Sequence, residues 1–497
     1  MEVSLDNSNF FKPTELLAIM SEKKTTENRV SRRKFMGTSA LAGAGFYIVP
    51  RYVIGGAGYV APSDRLNLAG IGVGGKGYGD LTNTSGFNKE DGSTLENVVA
   101  LADVDDERAS RSFANYPKAA RFRDFRKMLD KMGKDIDAVT VSTPDHNHAV
   151  AAMMAMKMGK HVYVQKPLTH DIYEARMLTE AARRYKVVTQ MGNQGNSSDD
   201  IRRICEWIWA GAIGDVYKVD CWTNRPVWPQ GIPSPTGKHD VPKTLDWDLW
   251  LGTAPLRDYD PAYHPFKWRG WWDYGTGALG DMACHIVDPV FKALKLGYPD
   301  SVECSVGHNF DSGVENPDYS NSGPSSSAIH FDFPKRGEMP EVKLNWYDGG
   351  IKPERPKEFG EEPLGLNGVI FYGTGGMLHC DVYAANPRLM PISKMDMFRE
   401  PTPTLKRIED GHYRDWVAAC KGGDPPSSNF DYAGPLTETV LMGNLAIRSY
   451  SYKEGEGRNS SYPGRKRLFW DGENMKITNF EPANQFVKRN YREGWSL

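Results

Sequence analysis

Short apolar runs alternate with amphipathic stretches between residues 64 and 193. The apolar runs, such as LNLAGI, VVALA, AVTV, HVYV and VVTQM, are rich in β-branched residues. The stretches between them, among them FRKMLDKM, AVAAMMAMKM and IYEARMLTEAARRYK, have the spacing of helices that bury one face. Continuous apolar strands separated by helices are typical of a parallel sheet covered on both faces. The pattern therefore predicts a doubly wound α/β unit over residues 64–193, with right-handed crossovers.

The pattern changes after residue 193. One more helical stretch, DDIRRICEWIWAGAIG, precedes runs in which apolar and polar residues alternate, such as VYKVDCW, SAIHFDF and VKLNWY. This alternation indicates strands with one buried face. Long loops rich in Pro, Gly and Trp lie between them, at Asn224–Gly275 and Gly349–Leu366, and loops of this length are usually functional. We therefore predict a second, α+β domain with a mostly antiparallel sheet over residues 194–497.

The first 63 residues have the features of an export signal. Residues 1–30 are polar and patternless, and we predict that they are disordered. Ser31-Arg32-Arg33-Lys34-Phe35 then leads into a weakly apolar run rich in Gly and Ala, which is typical of a twin-arginine signal. The alternative is the amphipathic start of an ordinary helix. The run is too short and too rich in glycine for a stable membrane anchor, so we expect a periplasmic protein.

Composition narrows the class of partner. The 497 residues carry a formal net charge of −2, which argues against nucleic acid or an anionic membrane as partner. The six cysteines are widely scattered and form no CxxC pair, so neither a zinc site nor any other metal site is expected. Disulfides stay open for an exported protein, and sequence alone cannot pair the cysteines.

A glycine-rich segment follows the first apolar run and precedes a helical stretch. Gly72, Val73, Gly74 and Gly77 belong to a G-x-G-x-x-G pattern, in which glycines let the backbone approach a pyrophosphate at a helix N-terminus. Asp103 ends the next apolar run, where a carboxylate can hold both hydroxyls of an adenosine ribose. Because an aspartate there would repel a 2′-phosphate, NAD is favoured over NADP. The alternative is an ordinary turn of an α/β domain.

Polar residues also end two later strands at the same predicted edge of the sheet. Thr143, Pro144 and His148 belong to STPDHNH, and the strand HVYV ends in Gln165 and Lys166. Nucleotide ligands bind at this carboxyl edge of doubly wound sheets. A lysine there can stabilise a developing alkoxide. The simpler interpretation is that the strands end there in solvated residues.

A second group of candidates lies between Trp268 and Gly297. Asp281 and His285 are four residues apart in a helical pattern, which puts a carboxylate and an imidazole on one face of the helix. An imidazole can take the proton of an alcohol, and a carboxylate can orient it. The alternative is a capping aspartate and a core histidine. Candidates for substrate contact are Asn193, Arg225, Trp271 and Trp272.

Taken together, these motifs resemble the Gfo/Idh/MocA family (glucose–fructose oxidoreductase, inositol dehydrogenase and rhizopine catabolism). The resemblance covers nearly all of the chain after residue 64 and implies an N-terminal Rossmann domain that binds NAD and a C-terminal substrate domain with an open sheet. It further implies hydride transfer at a sugar or cyclitol carbinol, with His285 as general base, Asp281 as its partner and Lys166 as stabiliser of the alkoxide. The family has Glu-Lys-Pro where this chain has Gln165-Lys166-Pro167. The resemblance also implies a homo-oligomer formed through the second-domain sheet.

Export would require the nicotinamide cofactor to be tightly bound, because a periplasm holds little free dinucleotide. We therefore expect a sugar or glycoside dehydrogenase that retains NAD and produces, in one version, 3-keto sugars. One alternative is a redox-neutral glycosidase or lyase that acts through a transient keto sugar. The other is a sugar-binding protein without catalysis.

Overall fold

Six parallel strands form the first sheet of the computed structural model, which describes residues 64–307, 321–455 and 460–497. Their order is β3-β2-β1-β4-β5-β6, so the strand order reverses between β1 and β4. The strands are β1 (Asn67–Ile71), β2 (Asn97–Ala102), β3 (Ala120–Phe122), β4 (Ala138–Val141), β5 (His161–Val164) and β6 (Thr189–Met191). The predicted doubly wound sheet is confirmed.

Helices connect these strands, and aspartate side chains begin three of them. The helices are α1 (Lys76–Ser85), α2 (Asp106–Asn115), α3 (Phe125–Met132), α4 (His148–Lys157) and α5 (Ile172–Tyr185). Asp105 and Asp124 cap α2 and α3 by accepting backbone N–H groups. Asp171 forms a capping box with Glu174 at the start of α5. The N-terminus of α1, in contrast, has no side-chain cap.

Nine strands form the second sheet, in the order β13-β12-β11-β7-β10-β9-β8-β14-β15. Only β7 and β10 are paired in parallel, so the predicted, mostly antiparallel sheet is confirmed. Alternate residues of β9 are buried, as its apolar and polar alternation predicts. The strands are β7 (Val216–Trp222), β8 (Ser301–Gly307), β9 (Ser326–Phe333), β10 (Val342–Tyr347), β11 (Gly368–Gly373), β12 (Gly376–Cys380), β13 (Arg388–Met390), β14 (Leu468–Asp471) and β15 (Lys476–Ile477).

The helices of the second half join it to the first. They are α6 (Asp199–Trp209), α7 (Trp247–Leu251), α8 (Gly277–Ile286), α9 (Asp288–Ala293), α10 (Lys394–Met397), α11 (Gly411–Cys420) and α12 (Phe430–Tyr450). The long, almost wholly buried α12 packs against α5, α8 and β8. One apolar core therefore runs through both sheets, and α8 is held against the first sheet by the helix behind it.

Several of the sequence-based expectations meet a limited test here. The predicted export signal and disordered N-terminus lie outside the described residues. Within the described part of the chain, no helix has both the length and the apolar character needed to cross a membrane. All six cysteines are free. No group of His, Cys, Asp and Glu side chains that could hold a metal ion occurs among the described residues.

Candidate active site

A cavity of about 530 Å³ lies at the carboxyl edge of the first sheet. Its walls come from the ends of β1, β2, β4 and β5, from α8, and from the loop that follows β7. The predicted site residues that line it are Gly72, Gly74, Asp103, Thr143, Pro144, His148, Gln165, Lys166, Arg225, Asp281 and His285. The fold thus brings together residues predicted for a cofactor and residues predicted for proton transfer.

The glycine-rich turn fits too tightly for side chains. Gly72 has a φ of +72°, and a Cβ there would lie 2.8 Å from the backbone of Ser142. A Cβ on Gly77 would lie 1.8 Å from the carbonyl oxygen of Gly72. The turn leads directly into α1, whose N-terminal N–H groups have no side-chain acceptor. Such a helix terminus attracts an anion, and it fits the pyrophosphate of a dinucleotide.

Asp103 is tied to this turn. Its Oδ2 accepts hydrogen bonds from the backbone N–H groups of Val73 and Gly74, at 2.8 and 2.9 Å, and its Oδ1 accepts one from Asp105 N. Burial raises the pKa of the carboxyl group, although these hydrogen bonds favour the anion. Val73 and Gly77 shape the turn without lining the cavity themselves. The carboxylate at the end of β2 therefore lies beside the glycine turn, where an adenosine ribose would fit.

The loop after β4 supplies one unsatisfied group and one bridge. Thr143 Oγ1 is buried and has no hydrogen-bond partner within the described residues, as expected for a group that contacts a ligand. His148 contacts the carbonyl oxygens of Thr143 and Pro167 through its two ring nitrogens, at 2.8 and 2.9 Å. Both ring nitrogens of His148 are therefore engaged in holding the loops after β4 and β5 together.

Lys166 and Asp281 meet across the cavity. Lys166 Nζ donates to the backbone oxygen of Asp281 at 2.6 Å and to its Oδ1 at 2.8 Å. Both side chains are mostly buried, with 14% and 12% exposure. Burial opposes ionisation of Asp281, but the charges of Lys166 and Arg269 outweigh it, so its pKa lies below the usual range. The aspartate is thus held as an anion beside a lysine.

Gln165 connects this pair to a buried carboxylate on α1. Its Nε2 donates to Asp80 Oδ2 at 2.9 Å, and its Oε1 accepts from Lys166 N at 3.3 Å. Asp80 is fully buried and also accepts hydrogen bonds from Ser142 Oγ, Tyr413 OH and Lys76 Nζ. The carboxylate that a glutamate at position 165 would supply is therefore present on a neighbouring element. A glutamate at 165 would instead place two carboxylates in contact.

His285 lies one helical turn from Asp281 on α8 and is buried. Its Nδ1 has no hydrogen-bond partner in the part of the chain that the structure describes. Burial and the charge of Lys166 hold the pKa of the imidazole well below its usual value, so the ring is neutral. Tyr383 packs edge-on against the ring, with centroids 4.6 Å apart, and has a φ of +63°. A neutral imidazole with an unpaired nitrogen is suited to accept a proton.

Three residues predicted to contact substrate do not line the cavity. Asn193 is buried, donates to Asp288 Oδ2 at 2.9 Å and accepts from Ser428 Oγ. Trp271 belongs to an aromatic cluster and donates to the carbonyl oxygen of Ala262. Trp272 is buried in the main core. Burial of their apolar surface is worth more than solvent exposure at a cavity wall, because the long loops of the second half need a core of their own.

Other residues at the site carry no sequence signal of their own. Asp80 reads as one more polar residue of a helix, Arg269 as part of an aromatic run, and Tyr383 follows β12 outside any motif. Trp228 and Trp268 line the cavity, so aromatic faces are present, although from other positions than Trp271 and Trp272. Only contacts between residues distant in sequence identify this group.

The comparisons with known proteins agree with this site. Residues 66–193 match the model of an oxidoreductase family with an NAD-binding Rossmann fold, and residues 227–312 match the C-terminal alpha/beta domain of the same family. The fold and these two matches support assignment of the chain to the Gfo/Idh/MocA oxidoreductases, and hence an enzyme with a nicotinamide cofactor.

Similar proteins of known name are sugar and cyclitol enzymes. Levoglucosan dehydrogenase of Pseudarthrobacter phenanthrenivorans is 25% identical over 188 residues, 38% of this chain and 40% of that protein. A glycosyl hydrolase family 109 protein of Shewanella pealeana is 26% identical over 211 residues (38% and 44%), and inositol 2-dehydrogenase 3 of Saccharopolyspora erythraea is 29% identical over 159 residues (31% and 46%). The chain thus spans less than half the length of these relatives.

Solved structures share the fold at low identity. The WlbA dehydrogenase of Chromobacterium violaceum, solved with NADH and UDP-GlcNAcA, has a TM-score of 0.52 at 16% identity, over 78% of this chain and 94% of that one. The WlbA dehydrogenase of Bordetella pertussis has a TM-score of 0.50 at 16% identity, over 76% and 95%. These likenesses concern the fold.

Proposed function

We propose that the protein is an NAD-dependent oxidoreductase that transfers hydride between a sugar or glycoside carbinol and a tightly bound nicotinamide, with 3-keto sugars as one product. The observation that carries the proposal is the convergence of Lys166, Asp281 and His285 in the cavity that contains the glycine turn. Proton-transfer groups and a dinucleotide cradle then share one space, as hydride transfer requires.

The described residues fit the cofactor. The glycine turn and the uncapped start of α1 would hold the pyrophosphate, and Asp103 would hold the adenosine ribose. The unsatisfied Thr143 hydroxyl would contact the nicotinamide half. The position of Asp103 favours NAD over NADP because a carboxylate repels a 2′-phosphate.

Proton transfer is assigned to the chain's own side chains. The bound nicotinamide supplies the hydride acceptor. The carbinol carbon loses its hydrogen with both electrons, the hydroxyl proton passes to the neutral imidazole of His285, and a C=O bond forms. Lys166 stabilises the developing alkoxide, and anionic Asp281 stabilises the imidazolium that results. In the reverse direction His285 returns the proton.

Export by the twin-arginine route is part of the proposal. The motif Arg32-Arg33 and the weakly apolar run after it support a periplasmic location. This route carries folded proteins, so NAD can be loaded before export and retained. Replacing Arg32 and Arg33 with lysines should keep the protein in the cytoplasmic fraction, and unchanged export would contradict the proposed route.

A second candidate is a redox-neutral glycosidase or lyase. The similarity to glycosyl hydrolase family 109 proteins favours it, because a transient keto group acidifies the neighbouring C–H bond and permits elimination of a glycosidic bond. The two activities differ in their products. A keto sugar with a reduced cofactor supports the dehydrogenase, whereas a cleaved glycoside without net reduction supports the glycosidase.

An assembly through the second sheet is the remaining part of the proposal. The residues of β9 that alternate with its core positions, including Ser326, Ala328 and His330, are only half-buried, so this face of the sheet is accessible to a second copy. Light scattering of the purified protein should give a dimer or larger oligomer, and a monomer would contradict it.

The decisive experiment uses purified protein to which no cofactor is added. Denaturation should release NAD, and sugars or glucosides should raise the absorbance at about 340 nm, where reduced nicotinamide absorbs. Lys166→Met should abolish the absorbance change while NAD stays bound, and Lys131→Met on the exposed face of α3 should change nothing. A protein that neither carries nor binds a dinucleotide would overturn the proposal. Full turnover by Lys166→Met would support a binding protein whose activity lies elsewhere.

A further inference from the structure

We propose that the sugar bound by this cavity is anionic, with a carboxylate or a phosphate or sulfate ester seated between Arg225 and Arg269. This inference rests on the proposed function and names its substrate class. It begins from a simple imbalance, since three cationic side chains in the cavity, Lys166, Arg225 and Arg269, surround one carboxylate, that of Asp281.

The distances show that Asp281 does not satisfy all three cations. Lys166 Nζ lies 2.8 Å from Asp281 Oδ1, within a strong hydrogen bond. Arg269 Nε lies 3.3 Å from Oδ1 and Arg225 Nε lies 3.7 Å from Oδ2. Only the lysine therefore makes a close, charge-assisted hydrogen bond with this carboxylate, and the two guanidinium groups are held near it by charge alone.

Both arginines keep donors that could face a ligand. Arg225 Nη1 donates to Asn224 Oδ1 at 2.7 Å, and Arg269 Nη1 reaches the carbonyl oxygen of Phe266 at 3.4 Å. The Nη2 group of each forms no hydrogen bond with any residue in the described ranges. The planar guanidinium fork matches the oxygens of a carboxylate, phosphate or sulfate.

Arg269 is fixed in place by aromatic rings. Its guanidinium carbon lies 4.2 Å from the ring centre of Trp268 and 4.8 Å from that of Phe266. Its side chain is only 22% exposed, and that of Arg225 is 29% exposed. Ordering and partly burying two arginines is unfavourable unless a counter-ion compensates them, and the observed carboxylate is already engaged by Lys166.

The other carboxylates near this end of the cavity do not restore the balance. Asp145 accepts a hydrogen bond from Thr276 Oγ1 at 2.7 Å, and burial raises its pKa, which disfavours its charged form. Asp80 is paired with Lys76. An oxidised nicotinamide would add one more positive charge. An anionic substrate is therefore the group that the electrostatics of this end of the cavity favour.

The arrangement also orients the substrate. Lys166 and His285 mark the reacting carbinol, so an anionic group held by Arg225 and Arg269 would fix which carbon of the ring meets the nicotinamide. The arginines would act in binding and orientation, and proton transfer would remain with His285.

The test compares matched sugars on the protein with its bound NAD. Glucose, glucuronate, glucose 6-phosphate and glucose 6-sulfate are titrated, together with the galacto and manno counterparts of each. Binding is followed by calorimetry and turnover by reduced nicotinamide. Two charge-assisted hydrogen bonds predict roughly 10- to 100-fold tighter binding and higher kcat/KM for at least one anionic series over its neutral sugar. The preferred series tells carboxylate from ester.

Each outcome of this comparison has a defined meaning. Equal or better binding of the neutral sugars, or no binding of any anionic sugar, overturns the inference. Selective binding of an anionic sugar without any reduction of NAD supports the anionic site and counts against the proposed oxidoreductase. Reduction by neutral sugars alone does the reverse.

Variants locate the effect. Arg225→Gln and Arg269→Gln should each lower the preference for the anionic sugar by roughly tenfold or more, seen chiefly in Kd and KM. Lysine at either position should restore part of it, because the charge returns without the fork. Arg183→Gln, an exposed site, is the matched control. A loss that is equal for anionic and neutral sugars would mean that the arginines only support Asp281, and would overturn the inference.

Discussion

The protonation state of His285 depends on two neighbours that act in opposite directions. Burial and the positive charge of Lys166 disfavour the imidazolium, whereas Asp281 favours it. Because Lys166 donates directly to Asp281, the lysine partly neutralises the only close group that would support a charged imidazole. The ring is therefore kept as a neutral base in the resting protein.

Replacing Lys166 with methionine should raise the pKa of His285. The variant removes a repulsive charge and leaves the carboxylate of Asp281 unneutralised, and both changes favour the imidazolium. The pKa should stay below the usual value for histidine, because burial, the larger cause, remains. Histidine-selective NMR titration of wild type and variant measures the shift.

His285→Asn assigns the resonance in that titration, and Lys131→Met serves as the control with an unchanged charge at the site. A His285 signal that titrates at the same pH in Lys166→Met and in wild type would show that the lysine does not govern the imidazole.

At the scale of elements, the turn between β1 and α1 forms the cofactor cradle. Its glycines are required by contacts with the backbone, since a Cβ on Gly77 would meet the carbonyl oxygen of Gly72. Two glycines later, Gly79 lies inside α1 and has no atom within 4 Å of where its Cβ would be. The two positions differ in packing and share one helix.

Gly77→Ala should therefore abolish retention of the dinucleotide, and Gly79→Ala should leave it intact. The first change forces the turn open, whereas the second improves helix propensity by up to about 1 kcal/mol. Nucleotide released on denaturation, measured per mole of protein, reports binding, and thermal unfolding reports stability. Full retention of nucleotide by Gly77→Ala would show that the turn yields more easily than its geometry indicates.

At the scale of the whole molecule, the C-terminal segment fastens the two halves together. Arg489 Nη2 lies 2.7 Å from Glu174 Oε1, and its Nε lies 3.6 Å from Asp171 Oδ2. Tyr491 OH also donates to Glu174. Burial and the charge of Glu174 raise the pKa of Asp171, so this acidic pair at the start of α5 depends on the arginine.

Arg489→Met should reduce the free energy of unfolding by about 3–5 kcal/mol, because it leaves buried carboxylates without their partner. Chemical denaturation at neutral pH measures the loss. Lys488→Met, at the exposed neighbouring position over the ring of Tyr173, should cost less than about 1 kcal/mol. Similar stability of the two variants would mean that the carboxylates find other partners or protons.

Local chemistry made part of this protein predictable from its sequence alone. Strand and helix periods depend on neighbouring residues, so both sheets, the glycine turn and the single helical turn between Asp281 and His285 follow from spacing. Contacts across the fold do not. Lys166 and Asp281 are 115 residues apart, and Gln165 and Asp80 are 85 apart.

Tertiary structure alone decided which polar residues meet and which aromatic residues are buried. Trp271 and Trp272 entered the core, whereas Trp228 and Trp268 reached the cavity wall, although all four lie in similar loop sequence. The grouping of Arg225 and Arg269 around Asp281 likewise arises where a loop and a helix happen to pack. Periodicity records which face of an element is buried, but the partner of each side chain is set by the packing of the whole chain.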